Sequence, residues 1–180
     1  MLSVSGRIGF ALLVAANGIG CSDGPVAVAA DALSTSTSDV SMSVSGSPGD
    51  RQAIQQIVDT FDATWAVDAA AYAAQYAQAD WVGPNGANLN TAADILQVYV
   101  SIFPLFAGST RQSTIRALTF LTGTVAVLDI DARVTGNFPP FIPTWQPNTI
   151  RALEKNILVK RAGEWRIVQH QQTPVAAGVP

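Results

Sequence analysis

The residues best suited to chemistry lie in two short stretches. Glu164–Pro174 reads Glu-Trp-Arg-Ile-Val-Gln-His-Gln-Gln-Thr-Pro and holds His170, the only histidine of the 180-residue chain. Imidazole alone among side chains has an unperturbed pKa that changes its charge near neutral pH, so His170 is a candidate base or proton shuttle. Asp80 stands beside Trp81. In an apolar pocket, desolvation raises a carboxyl's pKa toward that of a general base. If both reach one cavity, Asp80 and His170 form a pair able to move protons without a cofactor, as in isomerisation, dehydration or hydrolysis. Gln172 does not titrate and can only bind or orient a ligand, while Trp81, Tyr76 and Tyr99 offer flat apolar walls. Plainer readings stand beside these. Asp80 can accept hydrogen bonds at a helix–strand junction or turn, His170 can end a strand bonded to backbone or solvent, and tyrosines at helical spacing, like Trp65 and Trp165, suit a core.

The elements that must position these residues are legible in the pattern. Ser47-Pro48-Gly49-Asp50 is a helix start with cap, first-turn proline and capping-box acid, and Ile54, Ile57, Val58, Phe61 and Trp65 follow at helical spacing. Asp68 caps an alanine-rich segment with Tyr72 and Tyr76 one turn apart on a single face. A short strand at Asp80-Trp81-Val82 runs into the turn Gly83-Pro84-Asn85-Gly86. Thr91 and Asp94 then open a third helix that carries Ile95, Val98, Tyr99, Ile102 and Phe103 and stops at Pro104 and Gly108.

Beyond Gly108 the period becomes two. Strands are expected at Gln112–Leu121, Thr124–Thr135, Thr149–Lys160 and Glu164–Thr173, the last two joined by a hairpin at Arg161-Ala162-Gly163. In the second of these, Ala126, Leu128, Ile130, Ala132 and Val134 share one face, with Asp129, Asp131 and Arg133 on the other. Residues two apart on a strand are about 6.5–7 Å apart. The two aspartates therefore supply too few ligands for tight Ca²⁺ binding, and an exposed or dimer-contact face suits them better. With Lys160 opposite Trp165, His170 faces Lys155 and shares a face with Val168 and Ile157; a one-residue slip reverses that assignment. Helices first and antiparallel strands after them give an α+β fold: three N-terminal helices packed on a strongly curved, mostly antiparallel sheet.

Composition narrows the function classes. Charged residues make up 13% of the chain and the net charge is -3. Basic residues adjoin only at Lys160-Arg161, which excludes a nucleic-acid footprint. One Cys and one His exclude an intrachain disulfide framework and a tetrahedral zinc site built from these ligands. No phosphate loop, dinucleotide fingerprint, zinc-protease helix or nucleophile elbow occurs, so no metal and no cofactor is expected.

The first twenty residues read as a signal peptide, with Arg7 followed by the apolar run Ile8–Ala16, far shorter than a membrane span. Residues 21–49 form a Ser/Thr-rich linker, 50–174 the folded domain and 175–180 a tail. Gly18-Ile19-Gly20-Cys21 resembles the lipobox of bacterial lipoproteins, which implies lipidation of Cys21 and anchoring in the cell envelope. Gly18 stands where that pattern has Leu. Cleavage near Ala27-Val28-Ala29 would instead give a soluble secreted or periplasmic protein.

The order of elements, together with Trp65, Asp68, Ala79-Asp80-Trp81-Val82 with Gly86, and Gly163-x-Trp165-Arg166-Ile167 with His170 and Thr173, resembles the nuclear transport factor two-like superfamily, in its SnoaL-like, SgcJ/EcaC branch. The resemblance spans roughly Asp50–Pro174. It implies a cone-shaped fold, a homodimer through the outer sheet face, and relatives that include isomerases, dehydratases, cyclases and epoxide hydrolases. The chain departs from the pattern at residues 136–148, where Pro139, Pro140, Pro143 and Pro147 alternate with Phe138, Phe141, Ile142 and Trp145. Such a stiff aromatic loop suits a pocket cover, a contact surface, or simple packing back on the domain. Two functions are expected from this: an exported domain binding a small, largely apolar molecule, with or without acid–base chemistry, or a non-catalytic dimeric interaction module.

Overall fold

A computed structural model describes residues 46–83 and 86–179. The signal peptide, Cys21 and most of the linker read from the sequence lie outside them, as do Pro84 and Asn85 of the expected turn. Three helices open the domain: α1 (Pro48–Thr64), α2 (Ala69–Ala73) and α3 (Ala92–Ile102), the last continuing into a 3₁₀ turn (Phe103–Phe106). Six strands, β1 (Tyr76–Val82), β2 (Asn88–Leu89), β3 (Thr110–Thr122), β4 (Val125–Thr135), β5 (Thr149–Arg161) and β6 (Glu164–Pro174), form one sheet in the order β2-β1-β6-β5-β4-β3. All neighbours are antiparallel except β1 and β6. The sheet curves around the helices, which is the α+β architecture expected from the pattern.

Local chemistry explains the element ends. Ser47 Oγ accepts from the Asp50 amide and Thr91 Oγ1 from that of Asp94, so each helix begins with one orphan donor satisfied. Asp68 caps α2 through the Ala71 amide, but α2 ends at Ala73. Tyr76 therefore belongs to β1 rather than to a helical face shared with Tyr72. The β5–β6 hairpin turns on Ala162 and Gly163, with φ of 50° and 87°, the pair of positive values that matches strand twist. Asp50 ties the start of α1 to this hairpin by accepting from Lys160 Nζ (2.7 Å) and Trp165 Nε1 (2.9 Å). Those two bonds and that of Ser47 hold its carboxyl well below the usual range.

The core lies between the helices and the concave sheet face. Ile54, Ile57, Val58 and Phe61 of α1 meet Ala126, Leu128 and Ile130 of β4 and Leu158 of β5 in one buried cluster. The two-residue period of β4 holds along its length. On its outer face Asp129 pairs with Lys155 (2.7 Å) and Asp131 with Arg151 (2.9 Å).

The expected register of β6 is correct at the hairpin and wrong beyond it. Lys160 does pair with Trp165, but one extra residue enters β6 between Ile167 and Gln169. His170 then pairs with Asn156, not Lys155, and faces inward with Trp165 and Ile167. The adjoining β1 shifts in step, its buried residues being Tyr76, Ala79 and Trp81. A bulge re-aims every side chain beyond it, and here it turns the polar end of β6 into the cone.

Candidate functional site

A cavity of about 350 Å³ opens between the helices and the inner face of the sheet. Its helical wall is aromatic, with Trp65, Tyr72, Tyr99 and Phe106, and its sheet wall is small and aliphatic, with Ala132, Val134, Ile150 and Ala152. Trp81, Gln172 and Pro174 line it from β1 and β6, and Arg111 from β3. The Pro/aromatic loop supplies Ile142 and Pro143. The same loop packs on its own domain: Phe138 meets the Phe106 ring at 5.8 Å, and Trp145 lies over the Arg151 guanidinium at 4.8 Å while donating to the Val179 carbonyl. Phe141 at its tip stays 71% exposed. The loop is thus both a partial cover and packed back on the domain.

Asp80 and His170 do not come together. Asp80 pairs with Gln169 and is exposed on the outer face, whereas Trp81 pairs with His170 and both point inward. Neighbouring residues on a strand face opposite ways, so placing Trp81 in the cone puts Asp80 outside it, away from the apolar surroundings expected to desolvate it. Neither Asp80 nor His170 lines the cavity; Trp81, Tyr99 and Gln172 do. Tyr76 lies behind them, its hydroxyl 3.4 Å from that of Tyr99.

His170 is almost fully buried, stacked on the Trp81 ring (14° between planes) and edge-on to Tyr76. Its Nδ1 lies 2.8 Å from Asn156 Oδ1. An amide oxygen only accepts, so Nδ1 carries the proton and Nε2 the lone pair. Burial lowers the imidazole pKa to about 4, with nearby Glu154 raising it and Arg111 lowering it less strongly than burial does. His170 is therefore neutral at physiological pH. Trp81 Nε1 and Asn156 Nδ2 are buried with no hydrogen-bond acceptor among the described residues.

The strongest polar feature has no local signature in the sequence. Arg111, its side chain 1% exposed, grips both Glu154 oxygens from Nη1 (3.0 Å) and Nη2 (2.9 Å), and Nη1 also donates to the Tyr72 hydroxyl at 3.0 Å. Its Nε reaches Ser113 Oγ at 3.2 Å and Asp62 Oδ1 at 3.3 Å. Asp62, from α1, further accepts from the Ser113 amide and hydroxyl. Burial opposes the charge on each partner, but Arg111 keeps the Glu154 carboxyl below its usual pKa and Glu154 raises that of Arg111. The ring faces of Phe61, Trp65 and Tyr72 close the guanidinium in. Desolvation also raises the phenol pKa values of Tyr72, Tyr76 and Tyr99 well above normal, so all three remain hydrogen-bond donors. Among the described residues no three His, Cys, Asp or Glu side chains gather as metal ligands.

The same architecture recurs among solved structures. A Nostoc punctiforme domain of unknown function with a cystatin-like fold aligns with a TM-score of 0.63 at 18% identity, over 73% of this chain and 81% of that one. An NTF-2 like protein of unknown function from Shewanella oneidensis aligns at 0.58 and 17% identity, over 69% and 98%. The fold is the nuclear transport factor two-like cone. A hexachlorocyclohexane dehydrochlorinase (LinA) shares this cone with a TM-score of 0.57 and 18% identity, over 73% of this chain and 94% of its own. At such identities the likeness is one of fold. No family model matches the sequence, and no curated protein sequence does either.

Proposed function

We propose that this nuclear transport factor two-like domain binds a small, largely apolar molecule in its cone. The carrying observation is the cavity of about 350 Å³ walled by aromatic and aliphatic side chains, with Gln172, Arg111 and the polar atoms of Tyr72, Tyr99 and Trp81 as its few polar points. A concave, mostly apolar pocket with sparse, placed polar groups is the usual form of a small-molecule site. The dehydrochlorinase that shares the cone is an enzyme built on this fold. Acid–base chemistry through an Asp80–His170 pair loses its support, because the two lie on opposite faces of the sheet.

Native mass spectrometry of protein purified from cells tests the reading. A small apolar species should be retained by the wild type and lost in Ala132→Phe and Ala152→Leu, which fill the cavity from β4 and β5, with thermal unfolding showing that both variants still fold. A wild type that carries no such species and takes up no neutral aromatic probe would overturn it.

The SgcJ/EcaC kinship, export and lipid anchoring belong to the same proposal and rest on the sequence. Cys21→Ala should move the protein from the membrane to the soluble fraction, and unchanged fractionation would refute the anchor. A homodimer through the outer sheet face is supported by the half-buried apolar group Val125, Val127, Ile157 and Val159, paired across β4 and β5; light scattering would read its mass.

A further inference from the structure

We infer that the cone selects neutral ligands over anions, and that Glu154 and Asp62 set this selection by consuming the charge of Arg111 before any ligand arrives. The inference rests on the binding role proposed above and names the ligand class for that site.

An arginine lining an apolar cavity ordinarily suggests a carboxylate or phosphate receptor, since its planar fork matches those groups. Here the fork is already occupied. A guanidinium has five N–H donors. Nε–H is spent on Asp62 and Ser113, both hydrogens of Nη1 on Tyr72 and Glu154, and one of Nη2 on Glu154. That leaves a single Nη2 hydrogen for a ligand. The charge is also spent. Arg111 stands between the two carboxylates of Glu154 and Asp62, so the cluster is net negative. Among the described residues no other charged side chain lines the cavity, and His170, beside the cluster, is neutral at physiological pH.

An anion entering this space would lose its hydration and meet no free cation, a cost that an apolar wall does not offset. A neutral molecule loses little on entry. One acceptor oxygen, as in a ketone, ester or ether, can use the remaining Arg111 N–H or the Gln172 amide, while its apolar body lies against Trp65, Tyr99 and Trp81. The expected class is a neutral, flat or compact hydrophobe bearing one hydrogen-bond acceptor.

The test uses 2-acetylnaphthalene and 2-naphthoate, probes of one shape that differ by a methyl ketone against a carboxylate, titrated calorimetrically into the folded wild-type protein at neutral pH. The ketone should bind at least about tenfold more tightly than the carboxylate. Glu154→Gln keeps an acceptor for Arg111 and leaves Asp62 as its counter-ion, so it should raise naphthoate affinity and narrow the ratio. If that variant does not fold, Asp62→Asn, at a partly exposed position, should narrow the ratio in the same direction. Equal or tighter naphthoate binding by the wild type would overturn the charge selection while leaving the binding role standing. A ratio unmoved in the folded variant would overturn the part assigned to the carboxylates. If neither probe binds, the binding role fails and this inference falls with it.

Discussion

Arg111→Ala is expected to cost about 3–5 kcal/mol of folding free energy, because it breaks a buried ion pair and leaves its partner uncompensated. The side chains of Arg111 and Glu154 are 1% and 3% exposed, so little water reaches the pair in the folded protein. The same substitution removes a donor from Tyr72 and a counter-charge from Asp62, which links α1 to β3. Replacing both partners with apolar residues, as in Arg111→Met with Glu154→Leu, should cost much less than the single change. A buried pair offers little net stability over well-packed hydrophobic side chains, whereas a stranded charge is expensive. Urea unfolding of the wild type, the single variant and the double variant separates these terms. A loss below about 1 kcal/mol for Arg111→Ala, the worth of an exposed ion pair, would show that solvent reaches Glu154.

Acidification from pH 6.5 to pH 4 is expected to remove about 3 kcal/mol of stability through His170 alone. Its folded pKa of about 4 lies below the ordinary 6.5, so in this window the unfolded chain binds a proton that the folded chain refuses. Stability therefore rises with pH across the window, is fully present above 6.5, and falls as pH drops toward 4. The carboxylates with lowered pKa values, Glu154 and Asp50, add losses of the same sign, but only below their own ordinary values of 4.5 and 3.8. The two regimes are thus separable. His170→Gln should flatten the slope between pH 6.5 and 4.5 and leave the steeper acid limb. Unfolding free energies measured by denaturant titration at half-unit pH intervals would check this, and an unchanged slope in the variant would show that the imidazole is not buried neutral.

Much of the scaffold was legible because it depends on local rules. Ser47, Asp68 and Thr91 mark helix starts through short side chains that satisfy free amides, and the structure uses each of them in that way. The alternation of β4 survives because no residue is inserted along its pairing with β5. The β5–β6 hairpin follows from Ala162-Gly163 taking the positive φ values that close it. Tyr76 is where local reasoning failed. Its spacing from Tyr72 suits a helix, but α2 ends after five residues and pairing with β6 claims Tyr76 for the sheet.

The candidate site was far less legible. The polar end of β6 pointed to a cavity, and Gln172 does line one, but the face presented by each residue after Val168 depends on the bulge there. A two-residue period carries no information across an inserted residue. Arg111 and Glu154 were missed for a different reason. On β5 the inner residues Ala152, Glu154, Asn156 and Leu158 alternate with Leu153, Lys155, Ile157 and Val159, so each face mixes apolar and polar residues and neither reads as the buried one. Nothing local marks which acid goes inside.

By itself, then, the sequence determined the helix starts, the boundaries of the four long strands to within a few residues, the hairpin and the α+β order, since each is written in residues close together along the chain, whereas β2 and the first half of β1 carried no such mark. Only the tertiary structure decided which residues of β1 and β6 face the cone, that Asp80 stands outside it, and that an arginine and a glutamate 43 residues apart meet inside it. Those outcomes come from where strands pair and bulge across the sheet, and from the rule that a charge taken out of water must be matched by a partner that may lie anywhere in the chain.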